Sequence, residues 1–149
     1  MKIEDELKGR FRSERNKALI NLSFTEKQLT YSFLQLLKNY GLTEPQYNIL
    51  RVLRGFRSEG PSSIGFLKER MLDRSSDVSR LVDKLFDKGL ISRSENAIDR
   101  RQKDVEISEK GLNLLAGMGV CDAKADTLLQ NLTDDEVNEL NRLLDKIRD

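Results

Sequence analysis

Histidine is absent from this chain, cysteine occurs once, at Cys121, and proline twice among 149 residues. Without histidine the chain lacks the commonest metal ligand and the side chain most used as a general base near neutral pH, so an enzyme is disfavoured and no metal or cofactor is expected. A lone cysteine excludes an intrachain disulfide. No apolar run approaches the roughly 18 residues that a membrane span requires, and Met1 to Arg10 is too highly charged for a signal peptide, so a cytoplasmic protein without a membrane partner is expected. With few prolines and no low-complexity tract, the chain reads as globular, soluble and helix-rich, with disorder confined to its ends.

What is present is charge and helical periodicity. Charged residues make up 34% of the chain and apolar ones 38%, and the length suits a single structural unit with a real core. The net charge is only +1, which argues against a general nucleic-acid polycation, but it is unevenly spread. Met1 to Arg57 carries eleven basic residues against six acidic, whereas Cys121 to Asp149 carries four basic against eight acidic. Two such ends attract each other in a dimer; equally, both are ordinary solvated helix faces.

Apolar residues at helical spacing run through 5–22 (Leu7, Phe11, Ala18, Leu22) and 24–39 (Leu29, Phe33, Leu36, Leu37), followed by Tyr40, as one long helix or two abutting ones. After Gly41, the sequence Thr43-Glu44-Pro45-Gln46 forms a capping box that opens a scaffold helix reaching about Arg57, with Tyr47, Leu50, Leu53 and the stem of Arg54 inward. A turn cluster, Gly60 to Ser63, leads to a short helix over 64–71. Ser75-Ser76-Asp77 supplies cap chemistry for a helix to Lys88, in which Val78, Leu81, Val82 and Leu85 share one face. This pair has the layout of a helix-turn-helix. Residues 90–94 and 103–107 then alternate like the two strands of a hairpin whose tip carries Asp99-Arg100-Arg101. Ser108 caps a further helix, bent near Gly117 and Gly119, whose far half holds Leu128, Leu129 and Leu132. Thr133 to Glu136 is a second capping box, opening a last helix with Val137, Leu140, Leu144 and Ile147 on one stripe.

The fold class expected is therefore mainly α with a small β-hairpin, a winged helix-turn-helix flanked by helices. Removing the apolar stripe from the 75–88 helix leaves Ser75, Ser76, Asp77, Ser79, Arg80, Asp83 and Lys84 outside. Short hydroxyls let a helix approach a duplex closely, and arginine bridges guanine O6 and N7, so Arg80 leads as a base reader. At the hairpin tip Arg100 and Arg101 suit phosphates or a narrow minor groove, with Lys103 close behind. Asp99 would be repelled by DNA, and its use is to hold the Arg101 side chain extended.

The runs GLTEPQYNIL, SRLVDKLFDKGLISR and IDRRQKDVEISEKG, within residues 42–111, resemble the MarR family of bacterial winged-helix transcription regulators. The likeness is close over about half the chain, and the flanking helices agree in number and placement. It implies an obligate homodimer in which residues 1–40 and 109–149 interlock and residues 43–108 form the DNA-binding lobe of a single 149-residue domain. It also implies that 75–85 lies in the major groove and that Asp99 and Arg101 are the wing pair reaching the minor groove. The turn from Phe56 to Ser63 is longer and more charged than the family's usual connection. Many relatives sense oxidants through a cysteine near the N-terminal helices, where this chain has none; Cys121 is expected to be a small buried residue. Other relatives bind small aromatic acids, for which Tyr31, Phe33, Tyr40 and Tyr47 are the candidates here, although aromatic residues at helical spacing are usually core.

The resulting expectation is a homodimeric, sequence-specific regulator of double-stranded DNA, a repressor at a pseudo-palindromic operator, released by a small effector. The alternative is a winged-helix protein-interaction module without specific DNA binding. Its support is the near-neutral charge together with Asp77 and Asp83, which would oppose phosphates on the recognition face.

Overall fold

The computed structural model describes all residues, Met1–Asp149, in eight α-helices, one short 3-10 turn and a two-stranded antiparallel hairpin. The chain divides into two compact units, residues 1–35 and 36–149. No helix is long and apolar enough to cross a membrane.

In the first unit, α1 (Ile3–Leu7) ends at Lys8 in the left-handed region, and a new helix, α2 (Glu14–Lys38), begins after Ser13. The expected helical run from residue 5 is therefore broken before residue 14, and the join near Ser23 is continuous. Two local causes are visible: Ser13 accepts from the Asn16 amide at 3.2 Å, as an N-terminal cap does, and Thr25 and Thr30 donate to Asn21 and Glu26 one turn back, which keeps polar residues inside the helix. Glu4 and Lys17 form an ion pair that holds its carboxylate below the usual range and raises the lysine.

The second unit builds its core on α3 (Glu44–Gly55), whose capping box is complete: Thr43 Oγ1 accepts from the Gln46 amide and Gln46 Oε1 from the Thr43 amide. Ile49, Leu50 and Leu53 are buried, whereas Arg54, whose stem was expected inward, is exposed. Helix α4 (Ile64–Glu69) contributes Leu67, and α5 (Val78–Asp87) contributes Val78, Val82 and Leu85. Each such side chain, fully removed from water, stabilises the fold by about 2 kcal/mol. Gly89, at φ 73, ends α5 in the left-handed conformation that glycine adopts without strain, and the chain enters β1 (Ile91–Glu95) at once.

Strand β1 pairs antiparallel with β2 (Lys103–Ile107), Ile91 opposite Ile107 and Arg93 opposite Val105. Alternation places Val105 and Ile107 in the core. A third segment joins them: buried Ser62 exchanges both backbone hydrogen bonds with Val105, at 3.0 and 2.8 Å. No periodic signal announced this contact. It follows the 3-10 turn Arg57–Glu59 and Gly60, at φ 95, which together absorb the long connection between α3 and α4.

Ser108 then fastens the hairpin base to α6 (Glu109–Ala116). Its amide donates to Leu90 O, its hydroxyl donates to Gly89 O at 2.7 Å, and its Oγ accepts from the Gly111 amide. The break at Gly117 is where the glycines placed it, and α7 (Gly119–Thr127) follows, with Met118 and Cys121 buried. Helix α7 stops at Thr127, so Leu129 and Leu132 fall in the turn beyond it rather than in its far half. Thr133 and Glu136 make the second complete capping box, opening α8 (Asp134–Arg148).

Candidate nucleic-acid interface

The recognition-helix candidate is shorter than its sequence pattern. Asp77 is the N-cap, accepting from the Arg80 amide at 3.2 Å, so Ser75 and Ser76 lie in the turn before α5. There Asp73 Oδ1 accepts from both the Ser75 amide, at 2.9 Å, and its hydroxyl, at 2.6 Å, and these bonds hold the Asp73 carboxyl below its ordinary range. The carboxylate nearest the chain start of the turn outcompeted the serines for the backbone donors. Ser75 therefore spends its hydroxyl proton within the protein.

Ser79, Arg80 and Lys84 stand exposed on the outer face of α5, and neither cation has an internal partner. The two carboxylates that argued against DNA are both occupied. Asp77 spends its charge on the helix N-terminus, where the dipole favours an anion. Asp83 pairs with Arg93 of β1. The exposed groups of this face without an internal partner include Ser79, Arg80 and Lys84.

The hairpin tip is a built loop. Asn96 closes it: its amide donates to Gln102 O at 2.9 Å, its side-chain oxygen accepts from the Ile98 and Asp99 amides, and its Nδ2 donates to Asp104 at 3.0 Å. Asp99 Oδ1 accepts from the Arg101 amide at 3.0 Å. The expectation that Asp99 grips the Arg101 guanidinium is thus corrected, because a short aspartate side chain reaches the amide two residues on more readily than the far end of an arginine. Asp99 shapes the turn, and the Arg100 and Arg101 guanidiniums stay free and exposed. Ile98, beside them, is 98% exposed. Neither Asn96 nor Ile98 was singled out from sequence; Asn96 was detectable as an Asx-turn residue ahead of the tip.

Tip and helix meet across a cleft of about 430 Å³, lined by Ser63 and Ile64 of the α4 start, Ser79 and Asp83 of α5, and Arg101 and Lys103 of the wing. Three of the sequence-selected residues, Ser79, Arg101 and Lys103, are thereby brought to one site. A helix face and a cationic hairpin flank the same cleft, the arrangement that lets one enter a major groove while the other follows the neighbouring minor groove.

A family model described as the MarR family matches residues 42–103, the segment from the α3 cap to the wing. Over that segment the chain is similar to the MarR family. It is 27% identical over 113 residues to the HTH-type transcriptional regulator MgrA of Staphylococcus aureus, covering 76% of this chain and 74% of MgrA. A MarR transcription factor from Planctomyces limnophilus is 28% identical and superposes with a TM-score of 0.69 over 91% of this chain and 98% of that one. The MepR–DNA complex of S. aureus has a TM-score of 0.73 over 84% and 94% of the two chains, at 22% identity, a likeness of fold.

The four aromatic candidates for an effector site stand apart in character. Tyr31 is 64% exposed on α2, and Phe33 is half-buried on the same helix. Tyr47 is buried in the other unit, its hydroxyl donating to Asp122 Oδ1 at 3.1 Å; burial pushes the phenol pKa up, and Asp122 adds to it. Tyr40 donates to Gly117 O at 3.4 Å and lines an open groove of about 720 Å³ with Lys88, Leu90, Lys110 and Leu114, into which Asp87 also faces. Cys121 is fully buried, and burial raises its thiol pKa, which disfavours the reactive thiolate.

Proposed function

We propose that this chain is a homodimeric, sequence-specific DNA-binding repressor that acts at a pseudo-palindromic operator and is released by a small effector. The observation that carries the DNA reading is the pairing on the α5 face: Asp77 caps the helix and Asp83 pairs with Arg93, leaving Ser79, Arg80 and Lys84 outward beside the Arg100–Arg101 tip. Arg80 is the base reader, Ser79 and Lys84 engage phosphates, and Ser75 and Ser76 approach the backbone from the preceding turn. Arg101 enters the minor groove, with Arg100 and Lys103 on flanking phosphates. The MepR–DNA complex, in which a protein of this fold is bound to DNA, supports the DNA reading. Fluorescence anisotropy on a duplex selected in vitro by the protein tests it. Affinity falling by on the order of a thousandfold between 50 and 200 mM salt is expected for several phosphate contacts; selection that enriches no sequence would sink the reading and favour the protein-interaction alternative.

Support for the dimer comes from α8. That helix buries none of its side chains within the chain, yet Leu143 and Ile147, 44% and 69% exposed, continue an apolar stripe with Leu140 and Leu144. A polar-faced helix with an uncovered stripe gains its stability by packing against another. Residues 1–40 and 109–149 supply the dimer, and 43–108 the DNA-binding lobe, with half-sites about one helical turn apart. Light scattering is expected to give a mass near twice 17.2 kDa, and Leu143→Asp with Ile147→Asp to halve it and weaken operator binding with it. A wild-type monomer at micromolar concentration overturns this part. The effector in this reading is a small aromatic acid seated beside Tyr40, where Lys88 and Lys110 attract a carboxylate and Leu90 and Leu114 receive a ring.

A further inference from the structure

Recognition helix and wing are joined by one short covalent link, Lys88-Gly89-Leu90, with Gly89 in the left-handed conformation. The hairpin base is anchored by buried Val105 and Ile107, by Ser62 and by Ser108, but the tip projects beyond those contacts, so its angle to α5 needs a brace of its own. The brace is Arg93, at the centre of β1. Its guanidinium pairs with the Asp83 carboxylate and stands 4.3 Å from the centroid of the Phe86 ring, so one side chain grips two residues of α5 three apart, on one face. Alternation puts Arg93 on the same side of β1 as buried Ile91, and its side chain is only 26% exposed. Three residues further on, Asn96 begins the bonds that hold the tip.

We propose that Arg93 is a positioning residue: through Asp83 and Phe86 it fixes the angle between wing and recognition helix, so that Arg101 and Arg80 meet one duplex in register. This rests on the DNA-binding reading above. Arginine is required because only its planar group stacks on a ring while its edge bonds a carboxylate. The brace also explains why an acidic residue is tolerated on a DNA-facing helix.

A double-mutant cycle on the in vitro selected duplex tests the proposal. Arg93→Ala is expected to weaken binding about tenfold in the wild-type background and less than about twofold in an Arg101→Ala background, since a wing without its inserting arginine has nothing left to misplace. Arg93→Lys, which keeps the charge but not the stacking, should fall between. Minor-groove protection from hydroxyl radicals should fade at the flanks while guanine N7 protection in the major groove persists. Adding Asp83→Asn to Arg93→Ala should leave the loss in place; recovery would mean that a bare carboxylate, and not a misplaced wing, was responsible. Equal losses in both backgrounds would likewise overturn the proposal. A readout without DNA separates it from the DNA reading itself: in Arg93→Ala, amide exchange should quicken at Asn96 and Gln102 and stay unchanged in α3, and unaltered exchange at the tip would remove the brace whatever the protein binds.

Discussion

Gly111→Ala is expected to destabilise the protein by about 3 kcal/mol, the upper range for overpacking a rigid core site. A Cβ built at Gly111 lies 2.3 Å from the backbone oxygen of Leu90 and 2.8 Å from Ile107 Cγ1. The first is main chain, and it is already committed: Leu90 O accepts from the Ser108 amide, while the adjacent Gly89 O accepts from the Ser108 hydroxyl. Relieving the clash therefore moves the start of α6 away from the hairpin base and strains both bonds. A fall in the thermal midpoint of roughly 10 °C corresponds to that loss in a domain of this size. Gly119→Ala is the matched control. Its Cβ meets nothing within 4 Å, so alanine there should raise stability by about 0.5–1 kcal/mol through helix propensity. Urea titrations at fixed protein concentration measure both; a Gly111→Ala midpoint equal to wild type would show that the α6–hairpin contact is looser than these distances require.

Arg80→Ala is expected to cost about 2 kcal/mol of specific DNA binding, roughly thirtyfold in affinity, and to relax the preference at one base pair of each half-site. The guanidinium is exposed and unpaired within the protein, so its removal should leave the thermal midpoint unchanged. Arg80→Lys keeps the charge yet loses the fork that spans guanine O6 and N7, and should recover nonspecific affinity without base preference. Arg101→Ala provides the contrast: broad weakening across sequences, with the salt slope reduced by about one. An Arg80→Ala protein with wild-type specificity would remove Arg80 as the base reader even if the fold and the DNA target both stand.

The parts of this architecture that were legible in sequence are those decided within about four residues. The Thr43–Gln46 and Thr133–Glu136 boxes closed as written because donor and acceptor sit three residues apart on one helical turn. The α5 stripe and the Val105–Ile107 alternation held because helix and strand periods convert spacing directly into facing. Where several local partners competed, sequence underdetermined the outcome. Asp73, Ser75, Ser76 and Asp77 all offer caps, and only the folded turn assigned Asp73 to Ser75 and Asp77 to the helix. Asp99 had two arginine targets in reach, backbone and side chain, and took the backbone.

The contacts that matter most for the proposed function are nonlocal. Asp83 and Arg93 are ten residues apart across a turn, and Ser62 and Val105 forty-three apart; neither pair shares a periodic signal. The sequence by itself determined a helix-rich chain without histidine chemistry, the caps, the recognition stripe and the basic hairpin, because composition and short-range stereochemistry suffice for each. Only the tertiary structure decided that Asp77 caps α5 and that Asp83 and Phe86 meet Arg93 of the hairpin, because a charge on a helix acquires its meaning from whatever the rest of the fold brings within a few ångströms.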